Sequence, residues 1–395
     1  MLAMKEVYLD NAAATFVDPR VKAVMERFWS RDYGNPGSFH VMGLRALRAM
    51  NSARSNVAKV LNCSSDEIVF TGCGTESINL ALKGVFLANR SKGNHIITSR
   101  VEHKSVLETC KYLEKYEGAK VTYLPVNKYG QVSASNLEKA IRPDTILVSI
   151  IYGNNEVGTI NHISELSKVA KKHNVLFHTD ACQAGLLDIN VNRLGVDLFS
   201  MNGSKVYAPK GVGLLFIRKG VNVVPLLHGG GQESGLRSGT ENVAFIVGFA
   251  KALQLLQKER KKEFARIAVL RDRLVSGILN SVPKVILNGH PKDRLPGNVN
   301  ISFLDIEGES LLLYLNEKGI CASSGSACTS KSLNPSHVIT ALGWSHEVAH
   351  GSIRFTLGRR TTSADIDRVL KVLPGAVEKL RRLSPVNIKE EDLYG

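Results

Sequence analysis

The sequence predicts an α/β protein built on a mainly parallel sheet of seven strands, with helices on both faces. Between about residues 66 and 220, short runs rich in β-branched and aromatic residues alternate with segments of helical periodicity. Such alternation is typical of a parallel sheet whose crossover helices cover both faces. The predicted strands are 68–71, 95–99, 120–126, 145–151, 175–179, 198–201 and 213–217, and the predicted helices between them include 76–88, 103–116 and 163–173.

The order of the predicted elements changes after residue 283, which indicates a second, smaller domain. No proline stands between Pro225 and Pro283, and apolar residues at helical spacing occupy much of this stretch, so we expect a long connecting helix. Beyond it follow a strand (298–303), a helix (309–318), a loop around 323–330, a strand (352–357) and a final helix from Ser363. This mixture predicts an α+β domain. We expect the large domain over residues 16–257 and the small domain over residues 1–15 and 258–395.

The composition is that of a folded globular protein. Of 395 residues, 44% are hydrophobic and 22% are charged, which argues against disordered and fibrous classes. No stretch approaches the about 18 uninterrupted apolar residues of a membrane span, and the first residues lack the pattern of a secretion signal. The six cysteines form no CxxC pair, which argues against a disulfide scaffold and a zinc site. We therefore expect a cytoplasmic protein with neither a membrane segment nor a metal site.

The net charge of +15 is partly concentrated in the long helix. Between Lys251 and Arg273 there are eight Lys or Arg against three Asp or Glu, opposite a stripe of apolar residues. A solvated helix face explains this pattern, and an acidic protein partner is the alternative. No aromatic residues are interleaved with the basic ones, so stable binding of nucleic acid is not expected.

Small and polar residues follow the first strand of the predicted sheet. The strand 68–71 leads into Gly72, Cys73, Gly74, Thr75 and a helix. Free N–H groups at a helix N-terminus attract anions such as phosphate. The same residues would also serve simply to cap the helix, so this motif alone leaves both interpretations open.

Two later strands end in residues that suit pyridoxal 5′-phosphate (PLP). Asp180 follows the strand 175–179, with Gln183 close behind, and Asn202-Gly203-Ser204-Lys205 follows the strand 198–201. Ligands of such sheets bind at the carboxyl ends of the strands. A lysine can bond covalently to PLP, and an aspartate can keep its pyridine nitrogen protonated. Each residue taken singly would also fit a solvated lysine or a capping aspartate.

Nine short motifs occur in order between about residues 7 and 360. They are Tyr-Leu-Asp-Asn-Ala-Ala-Ala-Thr (8–15), Gly-Asn-Pro-Gly-Ser (34–38), Glu-His-Lys (102–104), Asn-Asn-Glu (154–156), His-Thr-Asp (178–180), His-Gly-Gly-Gly (228–231), Arg-Ser-Gly-Thr (237–240), Ser-Ser-Gly-Ser-Ala-Cys (323–328) and Ser-Ile-Arg-Phe (352–355). Together they closely resemble the cysteine desulfurases of the NifS/IscS type. These enzymes belong to the class-V aminotransferase superfamily, so the resemblance implies the PLP-dependent transferase fold.

The resemblance implies a role for each matching residue around PLP. Lys205 falls at the position of the lysine that forms the Schiff base and moves the Cα proton, Asp180 at the position that holds the pyridine nitrogen, and His103 at the position that stacks on the ring. A histidine that only starts a helix is the alternative for His103. Further cofactor-binding positions fall on the following residues: Asn155 and Gln183 at the phenolic oxygen; Thr75 and Ser204 at the phosphate, with Thr240 of a second subunit in the family's pattern; and Gly74 and Asn202.

The resemblance also implies how the substrate L-cysteine is handled. Arg354 matches the residue that binds the substrate carboxylate, with help from Asn35 and Asn155, and a planar bidentate donor suits that task. Cys328 matches the nucleophile that becomes a persulfide, and its loop resembles the group with a long loop, which passes sulfur to several acceptors. The implied protein is a homodimer that passes sulfur to an acceptor protein such as an iron–sulfur scaffold. Sulfur transfer for tRNA thiolation is a second implied role.

One departure and two alternatives accompany this hypothesis. The better-known members carry Ser/Thr-x-His before the lysine, whereas this chain has Asn202-Gly203-Ser204, so an imidazole contact to the phosphate is lost. A related lyase or aminotransferase that does not use Cys328 is the first alternative. The second alternative is a binding subunit without catalysis, which uses the basic residues of the long helix to hold an acidic partner or tRNA.

Overall fold

The computed structural model describes residues 6–325, 335–389 and 392–394, and twelve strands lie within these ranges. In chain order they are β1 (Val7–Tyr8), β2 (Ile68–Thr71), β3 (His95–Ser99), β4 (Lys120–Leu124), β5 (Thr145–Ser149), β6 (Leu176–Asp180), β7 (Leu198–Asn202), β8 (Gly213–Ile217), β9 (Val285–Leu287), β10 (Asn298–Phe303), β11 (Ile320–Cys321) and β12 (Ser352–Thr356).

Thirteen α-helices connect or cover these strands in the same ranges. They are α1 (Pro19–Met25), α2 (Arg27–Ser30), α3 (Val41–Leu61), α4 (Gly74–Ala88), α5 (Lys104–Glu117), α6 (Ala134–Ala140), α7 (Ile163–Lys172), α8 (Val191–Leu194), α9 (Val243–Ser281), α10 (Gly308–Glu317), α11 (His337–Ala341), α12 (His346–His350) and α13 (Ser363–Leu383). No helix of the described chain is long and apolar enough to cross a membrane.

The predicted seven-stranded sheet is confirmed, in the order β2-β8-β7-β6-β5-β3-β4. Its neighbours pair in parallel except β8, which runs antiparallel to both β7 and β2. The central strands β3, β5 and β8 are buried along their whole length, as helices on both faces require. Strand β4 ends two residues earlier than predicted, because Pro125 has no N–H for the ladder.

A second core lies around the antiparallel sheet β12-β10-β9. Val7 and Leu9 from the N-terminus share it with residues of α10, α13 and the second half of α9. Strand β1 pairs in parallel with β11, and Asp10 forms a bridge with Thr356, the last residue of β12. The N-terminal segment therefore lies against the later elements, while the domain boundaries at 15/16 and 257/258 remain a prediction.

The long helix α9 spans 39 residues and connects the two cores. Its first half, including Phe249 and Leu253, packs in the core of the large sheet, and its second half, including Leu274 and Ile278, packs in the second core. The basic face is not entirely solvated. Arg271 is buried and donates to the backbone oxygen of Leu295, so part of the positive charge is structural.

Candidate functional site

A pocket lies at the carboxyl ends of the central strands, where the sequence predicts the ligand site. It holds about 630 Å³ of space, part of which is open to solvent. It is lined by Ala12, Ala13, Gly74, Thr75, Ile78, His103, Ser105, Ile151, Asn155, Asp180, Cys182, Gln183, Asn202, Lys205 and Arg354. These residues come from strand ends, helix starts and the loop that follows β1.

The lysine and the aspartate of the predicted site both reach this pocket. Asp180 is the last residue of β6, is 3% exposed, and accepts a hydrogen bond from the backbone N–H of Cys182 at 2.9 Å. Lys205 ends a single 3-10 turn after β7, and its Nζ contacts the backbone oxygen of Ala13. A cation and a buried carboxylate thus face the same cavity from neighbouring strands.

The turn that carries Lys205 is held from two sides. Gly203 approaches the chain so closely that a Cβ there would lie 2.8 Å from the backbone oxygen of Pro209. On the other side, Thr15 donates its N–H to the backbone oxygen of Ser204 at 2.8 Å, and its Oγ1 accepts the N–H of Tyr207 at 2.9 Å. The position of Lys205 is therefore fixed by the segment after β1 as well as by β7.

Helix α4 presents its N-terminus to the pocket. Its 15 residues begin at Gly74, and the first N–H groups of a helix have no acceptor within it. A Cβ at Gly74 would lie 2.7 Å from the Sγ of Cys182, so only glycine allows this approach. Asn202 lies beside Gly74, and Ser204 donates its N–H to the Oδ1 of Asn202 at 3.2 Å. The cradle suits a phosphate group.

His103 both caps helix α5 and lines the pocket. Its Nδ1 accepts the backbone N–H of Ser105 at 3.1 Å and lies 2.6 Å from the Oγ of Ser105. An acceptor nitrogen carries no proton, so the neutral ring has its proton on Nε2. Both predicted roles of this histidine, at the helix start and at the site, are compatible with its position.

Arg354 enters the pocket from β12 although it is only 2% exposed. Its Nη1 donates to the backbone oxygen of Asn155 at 3.0 Å, and its Nη2 donates to Oδ1 of Asp10 at 3.0 Å. Its Nε is buried and has no hydrogen-bond partner in the described chain. An arginine with an unused donor in a pocket is prepared to bind an anion.

Three titratable groups with shifted pKa values lie in the wall of the pocket or close behind it. Burial raises the pKa of Glu102 to about 8 and lowers the pKa of His178 to about 3. Burial also raises the pKa of the Cys182 thiol far above its usual range, with Asp180 acting in the same direction. Near neutral pH, Cys182 is therefore an uncharged thiol and His178 a neutral imidazole.

Most of the predicted site residues are brought together in this pocket. Nine of them line it: Gly74, Thr75, His103, Asn155, Asp180, Gln183, Asn202, Lys205 and Arg354. Ser204 lies next to it through its bonds to Asn202. Asn35 and Thr240 are exposed and do not line the pocket of this single chain.

Cys328 lies outside the described residues, and the segments on either side of it lie close to the site. The backbone of Ser323 exchanges two hydrogen bonds with that of Arg354. On the other side, the Oγ of Ser336 donates to Glu156 at 2.5 Å, in the loop that carries Asn155. Asp10, Ala12 and Ala13 also lie at the site and are not among the predicted site residues, although the motif 8–15 contains all three.

Comparisons with known proteins show the family of this chain. The family model described as aminotransferase class-V matches residues 7–369. The chain belongs to this family. A cysteine desulfurase IscS from Methanosarcina thermophila is 53% identical over 387 residues, which cover 98% of this chain and 95% of that protein.

Two solved structures resemble this class-V chain over most of its length. A NifS-like protein is 42% identical with a TM-score of 0.88, and the match covers 95% of this chain and 99% of that one. A protein named SspA, solved in complex with cysteine, is 37% identical with a TM-score of 0.80, covering 89% of this chain and 99% of that one.

PLP is the cofactor of this class-V chain, and the residues present fit it. The pocket offers a lysine, a buried carboxylate on the adjacent strand, and the N-terminus of α4. At that N-terminus Gly74 lies so close to Cys182 that there is no room for a Cβ. These groups provide partners for the aldehyde, the pyridine nitrogen and the phosphate of the cofactor.

Proposed function

We propose that the chain is a PLP-dependent cysteine desulfurase, which converts L-cysteine to L-alanine and keeps the sulfur as a persulfide on Cys328. The observation that carries the proposal is the convergence of Lys205, Asp180 and Arg354 on one pocket. The relatives described above bear the name of this activity.

Lys205 and Asp180 would handle the proton chemistry at Cα. When bound, PLP supplies an electron-poor ring that accepts the electrons left when Cα loses its proton. The Lys205 amine takes that proton and returns it, since its Nζ is held at one wall of the pocket by Ala13. Asp180, buried at the end of β6, would hold the pyridine nitrogen in its protonated form.

Arg354 and its neighbours would orient the substrate. The guanidinium would bind the carboxylate of L-cysteine, and the side chain of Asn155 would help to hold the phenolic oxygen of the cofactor. Asn35 would assist Arg354, and Gln183 would assist Asn155. His103 would stack on the ring and, with its proton on Nε2, can donate to a group in the pocket.

Cys328 would receive the sulfur. Its thiolate attacks the sulfur of the substrate, the bond from that sulfur to Cβ breaks, and the electron pair of that bond takes up a proton to give the methyl group of L-alanine. The sum is L-cysteine plus a thiol giving L-alanine plus a persulfide, so that atoms and electrons balance.

The cofactor's phosphate would lie at the start of α4. Gly74 and Thr75 contribute N–H groups and a hydroxyl, and Ser204 contributes a second hydroxyl. The Asn202 amide stands beside Gly74, where it would replace part of the contact that an imidazole before the lysine makes in better-known members. In the family's pattern, Thr240 of a second subunit would contribute a further hydroxyl to the phosphate.

A homodimer completes this proposal. Thr240 and Asn35 are exposed and lie outside the pocket of their own chain. Close to Asn35, Phe39 is 96% exposed and Tyr33 is 69% exposed, which is unusual for large apolar side chains without a partner. Light scattering of the purified protein should give the mass of two chains, and Phe39→Asp should shift the mass towards one.

The sulfur would pass to an acceptor protein in the cytoplasm. All five cysteines in the described residues are unpaired, which fits a reducing compartment. An iron–sulfur scaffold is the first acceptor to test and a tRNA-thiolation partner the second. The net charge of +15 favours an acidic surface on that acceptor.

A single turnover with L-cysteine tests the activity. We expect L-alanine to appear in step with a persulfide at Cys328, which mass spectrometry locates. Lys205→Ala should abolish turnover. Cys328→Ala should stop persulfide formation while keeping the yellow colour of the holoenzyme, and Cys321→Ala, a matched cysteine seven residues earlier, should behave like the wild type.

Other outcomes identify the alternatives. A keto acid formed at an unchanged rate by Cys328→Ala would indicate a related lyase or aminotransferase. A purified protein that is colourless, and in which borohydride fixes no cofactor to Lys205, would indicate a binding subunit.

A further inference from the structure

Asp10 pairs with Arg354 at the edge of the pocket. Its Oδ1 accepts from the Nη2 of Arg354 at 3.0 Å, and 344 residues separate the two in the sequence. The side chain of Arg354 is 2% exposed and that of Asp10 is 19% exposed. Among the described residues, Asp10 is the carboxylate that forms an ion pair with this guanidinium.

The backbone of Asp10 is fixed independently of its carboxylate. Its carbonyl oxygen accepts N–H groups from Ala13 at 3.1 Å and Ala14 at 3.3 Å, and the hydroxyl of Tyr8 at 3.0 Å. Asp10 also forms a parallel bridge with Thr356, which stands two residues after Arg354. The loop after β1 therefore delivers this carboxylate to a defined point beside β12.

The two hydrogen bonds of Arg354 use different nitrogens. The backbone oxygen of Asn155 takes Nη1 and Asp10 takes Nη2, so the plane of the guanidinium is fixed at two points. A guanidinium has five N–H donors. The Nε donor, buried and without a partner in the described chain, is therefore left for another acceptor.

We propose that Asp10 is a positioning residue that fixes the plane of the Arg354 guanidinium, so that its unused donors meet the carboxylate of the amino-acid substrate. The proposal rests on the proposed function, which assigns that carboxylate to Arg354. Asp10 engages only one nitrogen and therefore does not occupy the site of a bidentate ligand. Misplacing a planar fork costs affinity for a planar anion, because both hydrogen bonds lose their alignment.

Substitutions at Asp10 separate position from charge. Asp10→Ala removes the acceptor, Asp10→Asn keeps an oxygen at the same place without the charge, and Asp10→Glu keeps the charge but moves it by one methylene. Asp18 offers a matched control, since its carboxylate pairs with the buried Arg359 at 2.8 Å outside the pocket. Thermal unfolding of each holoenzyme confirms that the variants are folded.

Two measurements are made on each variant holoenzyme. One is the KM and kcat for L-cysteine; the other is the Kd for L-alanine, which has the same carboxylate and amine, from the absorbance of the bound cofactor. We expect Asp10→Ala and Asp10→Glu to raise KM and Kd about tenfold, the scale of one charge-assisted hydrogen bond, with kcat changed less than about threefold. Asp10→Asn and Asp18→Asn should stay within about threefold of the wild type.

The proposal is overturned if Asp10→Ala leaves KM and Kd unchanged, or if Asp10→Asn binds as weakly as Asp10→Ala. Its failure is distinguishable from that of the proposed function. A wild-type protein that binds L-alanine but releases none from L-cysteine would contradict the proposed reaction, while the L-alanine titrations would still test Asp10. If Arg354→Lys leaves the Kd for L-alanine unchanged, the role of Arg354 fails as well.

Discussion

Two arginines of this protein are equally buried and serve different purposes. Arg354 and Arg294 are each 2% exposed, the first in strand β12 at the pocket and the second in the loop between β9 and β10. Arg294 donates Nε to the backbone oxygen of His290 at 3.0 Å and Nη1 to that of Val157 at 2.9 Å, and its Nη2 contacts the backbone oxygen of Asn288.

The difference lies in the donors that remain unused. Every nitrogen of Arg294 has a backbone partner, whereas Nε of Arg354 has none in the described chain. Burial lowers the pKa of Arg294 to about 9, which still leaves it charged at neutral pH. Arg294 therefore joins the loop 288–297 to the loop that carries Asn155, and Arg354 is available to a ligand. In this pair of arginines, the unused donor rather than the extent of burial distinguishes the residue at the pocket.

Replacing Arg294 should give the largest effect on stability. Arg294→Met keeps the apolar part of the side chain but leaves buried carbonyl oxygens without donors, so we expect a loss of about 3–5 kcal/mol in the free energy of unfolding, measured in urea. Arg20→Met, at a pair that is half exposed, should cost no more than about 1 kcal/mol. A loss of unfolding free energy below about 1 kcal/mol for Arg294→Met would show that the hydrogen bonds of Arg294 do not stabilise the fold.

Replacing Arg354 should affect catalysis more than stability. Arg354→Lys keeps the charge but cannot bind a carboxylate through two parallel N–H groups, so kcat/KM for L-cysteine should fall about 10- to 100-fold. Its loss of unfolding free energy should be smaller than that of Arg294→Met. Equal losses of stability in the two variants, with kcat/KM unchanged for Arg354→Lys, would contradict the comparison.

The sheet could be predicted because its signals are local. Strands such as β3 and β5 are short apolar runs between helical patterns, and their existence follows from composition and spacing alone. Helix α3 was not predicted. Its buried face includes Gly43, Ala46 and Ala53, whose small side chains give little contrast with the polar face.

The site residues at strand ends and helix starts could be predicted because the sequence shows where these elements end and begin, and ligands of such sheets bind there. Asp180 and Lys205 stand immediately after strands, and Gly74 starts a helix. The partner of Arg354 could not be predicted in the same way. Asp10 reaches it only because β1 pairs with β11 and the next residues continue beside β12, and no local pattern encodes that pairing.

A buried acid extends the comparison to the opposite charge and gives the smallest expected effect. In Glu102, Oε1 accepts the Oγ of Ser99 at 2.6 Å and the N–H of Ile151 at 2.9 Å, while Oε2 has no partner in the described chain. Burial raises the pKa of Glu102 to about 8, above its ordinary value of 4.5.

The folded protein therefore binds the proton of Glu102 more tightly than the unfolded chain does. The stabilisation is complete below pH 4.5 and is lost as the pH rises through 8. Glu102→Gln does not titrate, so its stability relative to the wild type should increase by about 2 kcal/mol between about pH 5.5 and 7 in urea unfolding. Parallel pH curves for the two proteins would mean that the unused oxygen of Glu102 is not held in its neutral form, and the rule drawn from the two arginines would then not extend to acids.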